Sequence, residues 1–94
     1  METTSIQAPS QKQISVTISF YSYFKDLAGC AKVSESLTEG ETLDALFQKL
    51  THRFPRLAAM RNSTLIAVGV DYQDRAYVLK AGDDVSLFPP VQGG

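Results

Sequence analysis

Side chains that ordinarily do chemistry are scarce in this chain. There is one cysteine, Cys30, one histidine, His52, no Gly-rich phosphate loop, and no Cys or His pair at metal-ligand spacing. Cys30 follows a turn glycine with no histidine near it in sequence, so it reads as a small, partly buried thiol rather than a nucleophile. His52 falls at the end of a predicted helix and reads as a surface residue there. Asp71, Asp74, Asp83 and Asp84 read as turn formers, because short acidic side chains bond readily to nearby backbone amides. No catalytic side chain, metal or bound cofactor is expected of this chain.

The end of the chain is different. It runs Pro89-Pro90-Val91-Gln92-Gly93-Gly94, and at an average glycine usage of about 7% a Gly-Gly terminus arises by chance in only about one chain in two hundred. Two prolines favour an extended, polyproline-like backbone and reduce the freedom lost when the segment is held. Six extended residues reach about 20 Å, enough to carry a terminal carboxylate into another protein's active site. Glycines at the tip have no Cβ, so they pass a narrow channel and accept whatever backbone angles a partner imposes. A carboxylate is a poor electrophile and must first be activated, and adenylation by a partner that binds ATP and Mg is the natural route. Attack on that adenylate by a sulfur donor leaves a terminal thiocarboxylate, a soft nucleophile able to deliver sulfur. Gly94 is thus the expected modified residue and Pro89 to Gly93 its flexible tether, residues 89–94 forming the tail.

Such a tail needs a body to hold it. The chain has 94 residues, 44% of them apolar and 20% charged, which suits one domain. Nine basic residues oppose ten acidic ones and are scattered, so a nucleic-acid partner lacks electrostatic support. A lone cysteine cannot form an internal disulfide, and there is no apolar run of membrane-spanning length; a reducing, cytoplasmic setting without membrane attachment is the expectation.

Residues 1–13 are polar and lack an apolar period, so they read as a mobile leader. Residues 14–88 form the domain. Ile14, Val16, Ile18 and Phe20 alternate with polar residues, the two-residue period of a strand with one buried face. Phe24 to Gly29 reads as a short turn, and Ala31 to Leu37 as a returning strand. Thr42 is placed to cap a helix whose stripe is Leu43, Leu46, Phe47, Leu50 and Phe54, stopped by Pro55, with Pro55 to Met60 opening a further helical turn. The apolar, β-branched run Thr64 to Val70 reads as a central strand. Asp71 to Asp74 then turns the chain, Ala76 to Leu79 reads as a short edge strand, and Val85 to Phe88 is the last strand. This order predicts an α+β fold of the ubiquitin-like β-grasp type: a mixed sheet of four to five strands with one main helix packed across it. If Phe20 and Leu87 face the core, alternation turns Tyr21 and Phe88 outward, at the root of the tail. Together with Tyr72 they form the expected partner interface.

From Ile14 to Gly94 the chain resembles the MoaD and ThiS group of sulfur carriers, most nearly the small sulfur-carrier subunits of molybdopterin synthase. The resemblance lies in FYSYFKDLAG, ETLDALFQKL, RFPRLAAM, AGDDVSLFPPV and the final GG. FPPV followed by a terminal GG is its most specific mark. Members often carry Asn after the valine of the third strand, where this chain has Gly69, and the stretch before Ile14 is extra. The resemblance implies a cycle in molybdenum cofactor biosynthesis: an E1-like adenylyltransferase activates Gly94, a sulfur donor protein supplies sulfur, and the large molybdopterin synthase subunit uses the thiocarboxylate to build the molybdopterin dithiolene. It also implies that the chain is no enzyme by itself but the sulfur-donating subunit of one.

Two other readings share these features. A carrier could send sulfur to thiazole, cysteine or tRNA, although thiazole carriers are usually shorter and lack the FPPV approach. A ubiquitin-like modifier, or a β-grasp binding module with no tail chemistry, would use the same body differently.

Overall fold

The computed structural model describes residues 12–90. Residues read as leader up to position 11, and Val91, Gln92, Gly93 and Gly94 of the tail, lie outside them.

Strand β1 (Gln13–Phe20) begins inside the stretch read as leader, and its apolar residues Ile14, Val16, Ile18 and Phe20 are all buried. It pairs antiparallel with β2 (Lys32–Thr38), matching Ile14 to Leu37 and Ile18 to Val33. Between them, the segment read as a turn is instead a short helix, α1 (Phe24–Ala28). Five residues are too few to display a helical period, and what anchors the helix is the fully buried Phe24. Gly29 ends it at φ 77° with its N–H bonded to the Lys25 carbonyl at 2.8 Å, a left-handed C-terminal cap.

Helix α2 (Leu43–Arg53) starts as expected, with Thr42 Oγ1 accepting the Ala45 N–H at 3.3 Å. Leu43, Leu46, Phe47 and Leu50 are almost completely buried against the sheet. Phe54 follows the helix and meets Phe20 edge to face at 5.8 Å. Pro55 then opens a 3-10 helix (Pro55–Met60) whose Leu57 completes this side of the core.

The remaining strands are β3 (Leu65–Val68), β4 (Asp71–Tyr72) and β5 (Asp84–Phe88), and the sheet order is β2-β1-β5-β3-β4. β5 runs parallel to β1 and antiparallel to β3, so the sheet is mixed and has five strands. β5, not β3, is its centre. The apolar run of β3 reflects Ile66 and Val68 on the core face and Ala67 covered on the other, rather than a central position. The segment 76–79 is no edge strand of the sheet. It makes a single bridge, Val78 to Thr42, with Leu43 N–H bonded to Tyr77 O and Leu79 N–H to Glu41 O, and it sends Leu79 into the core beside the start of α2. The sheet edge is taken instead by β4, in residues read as a turn.

The turn is one step earlier. Val68 pairs with Asp71, leaving Gly69 and Val70 as a two-residue hairpin loop. Gly69 has φ 63° and Val70 is not at positive φ, the pattern of a type II′ turn with glycine first. Positive φ is tolerated best by Gly, which accounts for Gly69 at the first position of this turn. Asp71 and Asp84 are therefore strand residues. Asp74 and Asp83 are turn formers: Asp74 accepts the Ala76 N–H at 2.8 Å, and Asp83 accepts the Lys80 N–H at 2.9 Å and the Tyr77 hydroxyl at 3.1 Å.

The far edge of the sheet, β2, is partly closed by α2. Arg53 Nη1 donates to the Ser34 carbonyl at 3.2 Å and to Glu35 Oε2 at 2.9 Å. Across the molecule, Asp44 on the first turn of α2 accepts from Arg61 at 3.1 Å and lies 3.7 Å from Arg75, whose guanidinium sits 4.8 Å above the Phe47 ring and donates to the Arg61 carbonyl. These contacts fasten the connection after β4 to the helix.

Gly69 supplies a direct check on the hairpin. A Cβ there would meet nothing within 4 Å, so Gly69→Ala should cost only the strain of a side chain at positive φ, about 1–3 kcal/mol. Urea unfolding should show a lower midpoint at an unchanged slope; an unaltered midpoint would mean that the residue does not hold positive φ in solution.

Candidate functional site

The reactive residues of the inventory stay apart from any organised centre. Cys30 is half-buried, packed against the core with its Sγ 3.8 Å from the Ala28 carbonyl oxygen. His52 is exposed on α2. Among the described residues, no three His, Cys, Asp or Glu side chains gather in a group that could hold a metal, and no helix is long and apolar enough to cross a membrane.

What the fold does organise is the root of the tail. β5 is held on both sides, by β1 and by β3, up to Phe88. Leu87 points into the core and is 1% exposed; the alternation of the strand therefore turns Phe88 to the opposite face. Pro89 and Pro90 follow directly, half-buried and outside any regular element. Pro89 and Pro90 thus follow a strand from the middle of a five-stranded sheet, paired along both sides.

Tyr21 comes to the same place from β1. Its N–H bonds to the Leu87 carbonyl at 3.1 Å, which extends the parallel β1–β5 register by one residue. Ser22 then takes φ 57°, a left-handed conformation that costs a non-glycine residue about 1–2 kcal/mol. That kink lets α1 begin, with the Tyr21 carbonyl accepting the Phe24 N–H at 3.1 Å, while Tyr21 itself stays on the outer face. Its ring stacks on Phe88 with centroids 5.1 Å apart and planes 17° from parallel. Tyr72 arrives from β4, where it pairs with Ala67, and meets Phe88 at 6.2 Å with the rings 68° apart.

Phe88 is accordingly held between two tyrosines, one stacked and one edge-on, both favourable aromatic geometries. All three residues expected at the interface, Tyr21, Tyr72 and Phe88, are brought together, although Tyr72 comes from a strand rather than from the turn in which the residues alone placed it. The tyrosines keep much of their surface in water, 45% for Tyr21 and 69% for Tyr72. The cluster is aromatic and partly open to water, and its only side-chain heteroatoms are the phenol hydroxyls of Tyr21 and Tyr72.

One residue of this surface is absent from that expected set. Val70, in the II′ turn next to β4, is 97% exposed. Its signal in the sequence is an apolar residue directly after a turn glycine, hidden there because Thr64 to Val70 reads as one continuous apolar strand.

Comparison with known proteins follows the same lines. The human protein named molybdopterin synthase sulfur carrier subunit is 33% identical over 66 residues, covering 65% of this chain and 75% of that one. Among solved structures, a putative molybdopterin converting factor, subunit 1, from Pyrococcus furiosus superposes with a TM-score of 0.77 at 27% identity, over 83% of this chain and 99% of that one. A chain from the protein–protein complex of subunits 1 and 2 of molybdopterin-converting factor from Helicobacter pylori 26695 shares the ubiquitin-like β-grasp fold, with a TM-score of 0.61 at 23% identity over 86% of this chain and all of that one. The ThiS family matches residues 18–94, from within β1 through the aromatic cluster to the final glycine, and the chain belongs to that family.

Proposed function

We propose that this chain is the sulfur carrier of a molybdopterin synthase. The observation that supports this most is that the family match runs through the outward-facing aromatic cluster and on to the Gly-Gly end, in a chain whose described residues assemble no active site of their own. Relatives named as molybdopterin synthase sulfur carrier subunits, and a converting factor solved as a complex of its two subunits, point to a large synthase subunit as the partner.

The chemistry is carried by the polypeptide end. In the active site of an E1-like partner, the Gly94 carboxylate attacks the α-phosphate of ATP, with Mg on the phosphates, and pyrophosphate leaves. A sulfide equivalent from a donor protein then attacks the acyl carbon and AMP departs, leaving a thiocarboxylate. The charged chain docks on the large subunit, which holds the molybdopterin precursor, and the sulfur passes into the dithiolene. This chain binds neither ATP nor metal in that cycle, which runs in the cytoplasm. Its own residues do three things: Gly93 and Gly94 fit the partner's channel, Pro89 to Gln92 span the distance, and Tyr21, Tyr72 and Phe88 seat the body.

Intact-mass measurement after incubation with an E1-like adenylyltransferase, ATP, Mg and a sulfur donor should show one oxygen replaced by sulfur at Gly94. An unchanged mass under conditions that charge a known carrier would rule the assignment out. Removal of Gly94 should abolish sulfur transfer while leaving the fold and most of the affinity for the large subunit intact; a truncated chain that still supports dithiolene formation would mean that the tail is not the carrier. Phe88→Ala should act the other way, weakening docking about tenfold or more as expected for a central aromatic anchor, with a fully reactive Gly94. Titration calorimetry separates the two, and equal affinities for parent and variant would remove Phe88 from the interface.

A further inference from the structure

Phe20 and Leu87 align at the end of the sheet from which Pro89 continues; the start of β1 lies at the other end, and a groove opens there. It has a volume of about 370 Å³ and separates the first residues of β1 from the connection that leads to β5. Ile14, Val78, Leu79 and Ala81 line it, and although Lys12, Glu39 and Lys80 line it too, the surface exposed in it is mainly apolar. Ile14 and Leu79 are buried, whereas Val78 is 50% exposed.

Both walls carry something unfinished. Residues 76–81 belong to no strand of the sheet, and the bonds that hold them near the groove are few: the bridge of Val78 with Thr42, Leu79 N–H to Glu41 O at 2.9 Å, and the neighbouring Gly82 N–H to Ser15 O at 2.8 Å. On the β1 side, Ser15 O and Thr17 N–H both bond toward residues 82–83. Backbone alternation points Gln13 the same way, yet it has no backbone partner on that side among the described residues. An open backbone position beside a half-exposed valine suits a short extended segment that brings one apolar side chain, since main-chain bonds and a side-chain pocket then act together.

Independently of the carrier reading, we infer that the groove is filled by the stretch read as a leader, with Ile6 of this same chain seated against Val78, Leu79 and Ala81. Continuity selects that occupant. Lys12, whose carbonyl is held by the Glu39 N–H at 2.7 Å, itself lines the groove, and residues 1–11 lead directly into it. Ile6 is the only branched aliphatic residue among them, and its six steps to Lys12 span about 20 Å when extended, ample for a return over the groove. Pro9 and Ser10, between the two, supply the turn that such a return needs. A segment tethered this closely meets its site at an effective concentration in the millimolar range, so even weak apolar contact holds it. Residues 1–11 then act as a strap that fastens the connection before β5 to the start of β1.

Solution NMR on the isotopically labelled full chain tests the strap. Nuclear Overhauser contacts should join the Ile6 methyls to those of Val78 and Ala81. Ile6→Ser should abolish them and make the hydrogen-bonded amides of Leu79 and Gly82 exchange about tenfold faster, Ile6→Leu should keep most of the protection, and Thr3→Ala should match the parent. Absence of the contacts in the parent overturns the strap, as does parent-like exchange in Ile6→Ser or an equal acceleration in Thr3→Ala. Contacts found only between chains, in a mixture of labelled and unlabelled protein, overturn it in favour of a second copy whose segment fills the groove. Binding of the large synthase subunit that Val78→Ser abolishes and Ile6→Ser strengthens, with no Ile6 contacts in the free parent, overturns it in favour of a partner protein as the occupant.

Discussion

The parallel pairing of β1 with β5 is the constraint on which the rest of the structure depends. It places the last strand in the middle of the sheet, with β1 on one side and β3 on the other, and aligns Phe20 with Leu87. Pro89 then follows a strand that is paired on both sides. Had the last strand been at an edge, the tail would emerge from a segment held by one ladder only, and Phe88 would lack the neighbour that stacks on it. The same register carries Tyr21 alongside the end of β5, so the ring pair is a consequence of strand alignment rather than of a loop.

The surroundings of that pair are built by devices of different cost. Ser22 accepts an unfavourable left-handed backbone so that β1 can end on the outer face and α1 can begin on the core side. Gly69 meets the positive φ of its turn without such a penalty. Asp44, Arg61 and Arg75 are partly exposed, and pairs of this kind are individually weak in water. Their value lies in number and placement: with the Arg75 guanidinium over Phe47, they tie a long irregular connection to the helix and so steady the approach to β5.

Much of this was legible in the residues. The alternation in β1, the stripe and cap of α2, the stop at Pro55 and the outward turn of Tyr21 and Phe88 follow from periods of two and 3.6 and from proline chemistry, all of which are local. What was not legible depends on pairing across the chain. The run Thr64 to Val70 looks like one strand because it is apolar throughout, yet the hairpin turn falls inside it, at Gly69 and Val70, where positive φ and pairing with β5 decide. Ala76 to Leu79 alternates like an edge strand, but its backbone partners are Glu41 and Leu43 at the head of the helix. α1 is too short for any period, and its anchor, Phe24, is recognisable only once the core exists. The aromatic cluster shows both sides: two members were readable from alternation, whereas the place of Tyr72 needed the sheet order.

The contact between Arg53 and the Ser34 carbonyl bears on the free edge of the sheet. An open seven-residue strand is a template on which another chain can grow a sheet, and β2 is the longest border this sheet presents. A guanidinium laid across the middle of that border occupies an acceptor that an incoming backbone would need, and the opposite border, β4, is only two residues long. With an acceptor of one border occupied and the other border only two residues long, neither edge of the sheet offers a long, fully free template to a strand from another copy.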